Sequence, residues 1–582
     1  MLSRSRSVSN ARWSPSGGRL AWVDGFDGRA DVVVQPADLA GPPVVVTAEC
    51  GVGGGYAWAG DDTLVVAAAD GRLVVVHADG GVERVLTHDG RALAPAVSAR
   101  GEVACAIERD DACDVATLPL DGSGWPERVS HADYAWDPDW SPDGASLVWH
   151  EWDLPSMPWH ASRIMRRESH DGRTVVVAGG AADGAPGAPG ATGACSQPRF
   201  SPDGAHLAWI CDGVLVVDGE PVLVEQCEAA EPAWSPGQRS YAWSPDGDEL
   251  AWCRNESGFG RLVVGAPGRK SARELSRGWH RELSWGAGGI LCVRSGAVTP
   301  PQVVVLAANG SARRAIARGP AGGFERTGLV EPRPVMWKSA SASVHGLLWQ
   351  PSGPREPLPM VVHVHGGPTG QALADWNPRV QWLVQQGYAV LQVNHRGSSG
   401  YGVSYRNALD GRWGDVDVAD VAAGIKHAVK EGWAAPGRVA LMGASAGGFT
   451  ALNAAARHGD LVAAVIAPYP VTDLLDLAAT THRFESGDLL RLVGPLPAER
   501  ATYVDRSPVA HAADVRAPVL LFQGDADKVV NPERTNAYAD ALRRAGTVVE
   551  HCVYAGEGHG WRRSDTVADE LTRIGAFLAR WC

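Results

Sequence analysis

Two domains of different class are predicted: an all-β propeller of about seven blades over residues 1–325, then an α/β domain with a mostly parallel sheet over 326–582. Three observations predict this. A chain of 582 residues is too long for one hydrophobic core. A short aromatic-Ser-Pro turn recurs through its first part. After about residue 330, apolar runs alternate with helical stretches, which is the pattern of a covered parallel sheet.

The recurring turn defines the first domain. Trp13-Ser-Pro-Ser-Gly17 precedes Leu20–Val23, and Trp140-Ser-Pro-Asp-Gly144 precedes Leu147–Trp149. Phe200-Ser-Pro-Asp-Gly204 and Trp243-Ser-Pro-Asp-Gly247 precede Leu207–Ile210 and Leu250–Cys253. Weaker copies begin at Trp58, Ser98 and Trp285. Proline presets φ for the first turn position, and glycine accepts the positive φ that closes it. Such a hairpin cannot bury both its faces alone, so repetition every roughly 40–60 residues predicts blades, with each aromatic packed between neighbouring sheets. The Gly/Ala/Pro-rich run at 178–194 lacks periodicity and is expected to be a surface loop.

In the second domain, Val335–Ser339 and Val344–Trp349 are expected to form an entering hairpin. Strands are predicted at Met360–Val364, Ala389–Val393, Val439–Met442, Val462–Ala467, Val519–Phe522 and Val548–Tyr554. Helices are predicted over Pro378–Gln386, Asp417–Glu431, Gly447–Arg457, Pro532–Ala545 and Thr566–Trp581.

The chemistry centres on Gly443-Ala-Ser-Ala-Gly447, which follows one of these strands and opens a helix. That context makes Ser445 the candidate nucleophile of an α/β-hydrolase fold, raised on a turn so tight that only small residues flank it. A serine hydroxyl needs a base to take its proton and an acid to orient that base, in the chain order Ser, Asp, His. Asp527 and His559 stand on loops after the next strands, at the same carboxyl edge of the sheet. Asp525 is the alternative acid, but it lies nearer the strand end, where a turn-stabilising role is expected. An oxyanion hole is expected from the amides of Gly367, in His365-Gly-Gly-Pro368, and Ala446. His363 and His365 share a strand face without a third ligand, so no metal and no cofactor are expected. Glu485 is the candidate carboxylate for a substrate ammonium, followed by Glu151 and Asp153, while Tyr469 and Phe449 are candidates to line an apolar substrate pocket.

Charge and composition narrow the partners. A formal net charge of −13 offers no electrostatic footprint for nucleic acid or an anionic membrane. No apolar run reaches membrane-spanning length, and no apolar segment follows the basic N-terminus as in a secretory signal. Ten scattered cysteines without a paired spacing fit reduced thiols in a cytoplasmic protein.

These motifs resemble the prolyl oligopeptidase family of serine peptidases. The resemblance rests on His365-Gly-Gly-Pro368, Asn394-His-Arg-Gly-Ser398, Gly411-Arg-Trp-Gly-Asp415, Gly443–Gly448, Gly524–Val530 and Glu557-Gly-His-Gly560, in that order behind the repeats. His365 stands where some members carry an oxyanion-hole tyrosine, so the resemblance is to the acylaminoacyl-peptidase and dipeptidyl-aminopeptidase-like branch. It implies a propeller that excludes folded proteins, and substrates that are short peptides or aminoacyl amides, puromycin-like compounds included. An esterase acting on small esters is the alternative within the same chemistry. A propeller scaffold with an inert hydrolase domain is the alternative outside it, and that reading requires the loss of a triad member. Homo-oligomer formation is left open.

Overall fold

The computed structural model describes the chain except for residues 1–5, 27, 47–48, 52–54, 110–111, 181–192, 224–226, 270, 320–327 and 354–355. The expected loop at 178–194 falls mostly outside the described residues. The chain forms two compact units, one over 6–296 and 300–320 and the other over 1–5, 297–299 and 321–582.

The first unit is all-β and propeller-like. Among the described residues it contains five separate four-stranded sheets, the first running through Arg6–Trp13, Arg19–Phe26, Arg29–Pro36 and Val44–Val45. About seven blades were expected, and the count of separate sheets is lower for a local reason. The eight strands between Arg91 and Gly179 form one sheet, because Ala112–Pro119 and Tyr134–Trp140 meet in parallel at Cys113 and Tyr134.

The repeated turns close as the sequence dictates. Gly17, Gly144, Gly204 and Gly247 all take φ between 68° and 79°. In three of the turns the serine hydroxyl donates to the aspartate two residues on, at 2.5–2.6 Å from Ser141, Ser201 and Ser244. The preceding aromatics bridge sheets: Trp13 Nε1 donates to the carbonyl of Gly289 at 3.0 Å, tying the first sheet to the last.

A second repeat is superimposed on the first. The opening strands of five repeats carry a bulge whose left-handed residue is Asn10, Ala94, Asp137, Gln197 or Glu282. Four of them lie three residues before the aromatic that opens the turn, Ala94 lies four before Ser98, and each bulge re-aims the strand.

The second unit is an eight-stranded sheet. Its strands are β1 (Arg333–Ser339), β2 (Ala342–Trp349), β3 (Leu358–Val364), β4 (Ala389–Asn394), β5 (Ala434–Gly443), β6 (Ala464–Pro468), β7 (Val519–Gly524) and β8 (Val549–Tyr554). They lie in the order β1-β2-β4-β3-β5-β6-β7-β8. The first two pairings, β1 with β2 and β2 with β4, are antiparallel, and the others are parallel. The predicted helices form as α1 (Pro378–Gln385), α2 (Val416–Lys430), α3 (Ala446–Arg457), α6 (Pro532–Arg544) and α7 (Ser564–Trp581). Between β6 and β7 an insertion adds the short helices α4 (Leu474–Thr480) and α5 (Asp488–Leu492), which the sequence pattern does not announce. Apolar side chains from the central strands interlock with Val421, Ile425, Leu452 and Ala455 of α2 and α3, forming the core that holds the carboxyl ends of β5, β7 and β8 in place.

Candidate active site

Ser445 sits at the junction of β5 and α3 with φ 55° and ψ −123°, a conformation that costs a non-glycine residue on the order of 1–3 kcal/mol. The surrounding glycines make that turn attainable. A Cβ on Gly447 would lie 2.3 Å from the carbonyl oxygen of Val364, and one on Gly443 would lie 2.4 Å from that of Gly447. The two loops that carry the base and the acid are equally constrained. A Cβ on Gly524 would meet the carbonyl of Glu557 at 2.3 Å, so β7 and the loop after β8 can approach only through glycine. Asp525 fastens the same two loops by accepting the Gly556 amide at 2.6 Å, the turn-stabilising contact expected of it.

The structure brings Ser445, His559 and Asp527 together. His559 Nε2 lies 3.0 Å from Ser445 Oγ, and its Nδ1 lies 2.8 Å from Asp527 Oδ2. Asp527 is buried, and its other oxygen accepts the amides of Val529 and Val530 at 2.8 and 3.0 Å. Gln523 Nε2 also donates to Oδ2, at 3.2 Å. With both carboxylate oxygens fixed as acceptors, Nδ1 of His559 carries the proton and Nε2 is free to accept one from Ser445.

Gly367 and Ala446 line the same small cavity as Ser445. Ala446 is the first residue of α3, so its amide has no acceptor within the helix and is available to an oxyanion. Gly367 has φ 125°, and a Cβ there would strike the Thr369 amide at 2.6 Å. His365 is turned away from this hole. Its Nδ1–H donates to the Gly366 carbonyl at 2.8 Å and its Nε2 accepts the Ser398 hydroxyl at 2.7 Å. Burial pushes its pKa down to about 3, so the ring is neutral.

The flanking motifs act as a frame. Asp417, at the start of α2, accepts the Gly414 amide at 2.7 Å and the Thr450 hydroxyl of α3 at 2.6 Å, bracing the helix that begins beside Ser445. Asp420, fully buried, receives the guanidinium of Arg396 at 2.6 Å.

The cavity beside Ser445 is narrow, about 30 Å³, and its walls come from Trp413, Val471, Leu477, Leu489, Leu492, Val529 and Val530. Glu485 lines it, with its carboxylate 27% exposed and His482 Nε2 at 3.5 Å. The two aromatic candidates do not form its wall. Phe449 is fully buried behind Trp413, 4.3 Å between ring centres, because α3 turns that position into the core. Tyr469 takes φ 35° and faces His559, with ring centres 4.6 Å apart. In the propeller unit, Glu151 and Asp153 are both held by Arg163 at 2.8 Å, so neither stands as a free anchor. Sequence reasoning missed Trp413 and Asp488 as pocket residues. The Glu485-x-x-Asp488 spacing, one helical turn apart, was the available signal for the second.

Comparison with known proteins agrees with this geometry. The sequence model of the prolyl oligopeptidase family matches residues 374–582. Dipeptidyl peptidase family member 6 of Caenorhabditis elegans is 32% identical over 231 residues, covering 39% of this chain and 31% of that protein. The acylamino-acid-releasing enzyme of Sus scrofa is 31% identical over 244 residues, covering 40% and 33%. The chain thus spans about a third of the length of the curated relatives it matches. Among solved structures, a Mycobacterium tuberculosis puromycin-hydrolyzing peptidase superposes over 100% of this chain and 95% of its own, with a TM-score of 0.88 and 28% identity. A puromycin hydrolase gives the same TM-score and coverage at 29% identity. Residues 374–582, which carry the linked Ser445, His559 and Asp527, thus match the prolyl oligopeptidase family model.

Proposed function

We propose that the protein is a serine peptidase that hydrolyses short peptides or aminoacyl amides through an acyl-enzyme on Ser445. The observation that carries the reading is the continuous hydrogen-bonded path from Ser445 Oγ through His559 to Asp527, beside two amides suited to an oxyanion. In this reading His559 takes the Ser445 proton as Oγ attacks the scissile carbonyl, and returns it to the leaving amine. The imidazolium formed in between is stabilised by buried Asp527. The Gly367 and Ala446 amides hold the negative oxygen of the tetrahedral intermediate. A water then attacks the ester, with His559 again as base, and releases the acyl group.

Glu485 is proposed as the carboxylate that receives a free substrate ammonium, which makes the activity an aminopeptidase one. The structural likeness to puromycin-hydrolysing proteins supports small aminoacyl amides as a substrate class. Restriction of substrate size by the propeller, and about seven blades in it, remain part of the proposal on the strength of the family resemblance and the repeated turns. A cytoplasmic location is proposed as well, supported by the scattered, unpaired spacing of the ten cysteines in the sequence. No helix among the described residues is long and apolar enough to cross a membrane.

The test is a panel of aminoacyl, dipeptidyl and N-acetyl-aminoacyl chromogenic amides, assayed with wild type, Ser445→Ala and Glu485→Gln. Turnover confined to free-amine substrates and weakened by Glu485→Gln supports the aminopeptidase reading. Turnover of N-acetylated substrates that ignores Glu485→Gln removes the anchor and leaves an acylaminoacyl peptidase. Hydrolysis of esters with no amide turnover would favour the esterase.

A further inference from the structure

One group in the cavity beside Ser445 has no counterpart in the reaction described above. Asp488, the first residue of α5, is 94% buried by its 6% relative exposure and lines the cavity that holds Ser445, Gly367 and Ala446. Its Oδ1 is fully enclosed and lacks a hydrogen-bond partner among the described residues. A buried carboxylate oxygen without a donor is costly in the charged form, and a cation carried into this cavity by a substrate would offset that cost. The cation nearest in sequence cannot serve: Arg491 is held by Asp410 through two bonds of 2.7 Å. Glu485 lines the same cavity and adds a second carboxylate rather than a donor.

The rest of the cavity is largely apolar. Trp413, Val471, Leu492 and Val530 supply apolar walls around a narrow space. A slender methylene chain ending in a cation fits such a site, with the stem against the walls and the charge at the carboxylate.

We propose that Asp488 is a specificity-determining residue that binds the ammonium of a lysine- or ornithine-like side chain on the residue whose carbonyl Ser445 attacks. The proposal rests on the peptidase reading for the reaction, but the binding it describes does not require turnover. Glu485 keeps the α-ammonium, and Asp488 takes the side-chain cation. The charge state of Asp488 supports the arrangement. Burial, together with the charges of Glu485 and Asp410 and against that of Arg491, pushes its pKa up to about 7. The empty pocket therefore carries the carboxyl half-protonated near neutrality, and an incoming cation draws it into the charged form.

The experiment measures binding of L-lysinamide and L-norleucinamide, which share a stem and differ in the terminal ammonium, to full-length Ser445→Ala with and without Asp488→Asn. Turnover of the matching chromogenic amides is measured alongside in the Ser445 protein. The expected result is at least tenfold tighter binding of lysinamide, lost in Asp488→Asn while norleucinamide binding is kept. The lysine-over-norleucine ratio should also rise from pH 5.5 to 8.5 in the parent and stay flat in Asp488→Asn, because ionisations common to both ligands cancel in the ratio. Equal binding of the two amides, or a preference untouched by Asp488→Asn, overturns the proposal. A preserved lysine preference without cleavage of any amide overturns the peptidase reading instead and leaves the cation pocket standing.

Discussion

Replacing Asp527 by asparagine separates the orientation of His559 from its mere presence. Oδ1 of Asp527 is pinned by the amides of Val529 and Val530 at 2.8 and 3.0 Å. An asparagine keeping those two bonds must therefore place its NH₂ where Oδ2 was, facing His559 Nδ1 at about the present 2.8 Å. An NH₂ group donates, so it favours the tautomer with the proton on Nε2. That nitrogen then faces Ser445 Oγ at 3.0 Å as a donor and cannot accept its proton. The same exchange in a Ser-His-Asp triad lowers kcat by about 10⁴. At 1.36 kcal/mol per factor of ten, that is about 5.4 kcal/mol of lost transition-state stabilisation. Steady-state hydrolysis of an aminoacyl chromogenic amide, with circular dichroism to verify folding, measures it. The matching Asp525→Asn variant should lose less than tenfold, since Asp525 touches Gly556 and not the imidazole. An Asp527→Asn enzyme within tenfold of wild type, or an Asp525→Asn enzyme that falls further, refutes the reasoning.

Three further outcomes follow from the packing. Gly447→Ala puts a methyl 2.3 Å from the Val364 carbonyl, so β3 or the nucleophile turn must shift. A loss of about 1–3 kcal/mol and of most activity is expected, read by urea unfolding and by turnover. Phe449→Ala empties a fully buried site against Trp413 and should cost about 3–5 kcal/mol by the same unfolding assay, with a wild-type value arguing against its core role. His365 is held neutral by burial, with its pKa near 3 in the fold. The unfolded chain takes up a proton near pH 6.5 that the fold refuses. Its contribution is therefore complete above about pH 6.5 and is lost as pH falls toward 3, by about 1.4 kcal/mol per unit. The thermal midpoint should accordingly drop less between pH 7 and 5 in His365→Gln than in wild type, and equal drops would count against this account.

How much of this was legible in the sequence varies with the scale of the signal. The strands and helices of the α/β unit fall within a few residues of their expected ends, because both periods and both kinds of punctuation are local. β5 is the exception: it begins at Ala434 rather than Val439, through a Pro-Gly stretch that no strand pattern marks. The turn motif exposed the repeated sheets, but the left-handed bulge ahead of it stayed hidden. Its residue is asparagine, alanine, aspartate, glutamine or glutamate in turn, so a constraint on backbone shape left no constant letter. The joining of two four-strand meanders into one sheet was equally invisible, since it depends on a single pairing between Cys113 and Tyr134.

In the site, Ser445, Asp527 and His559 could be found because each stands beside glycines that only one backbone path permits. The pocket could not. Whether Phe449 or Trp413 faces the cavity depends on how α3 packs against the insertion, and Asp488 becomes a pocket residue only because α5 folds back toward Ser445. Tyr469 illustrates the same limit: its positive φ, which aims the ring at His559, has no mark in the residues around it.

Everything in the proposed reaction depends on Ser445 as the nucleophile. The most direct test of that role is treatment of the full-length protein with a fluorophosphonate, followed by intact-mass and peptide-mapping measurement of the adduct. One adduct is expected, on Ser445, formed in step with loss of amide hydrolysis and absent from Ser445→Ala. An adduct on another residue that accompanies the loss of activity, or hydrolysis that survives in Ser445→Ala, would contradict it.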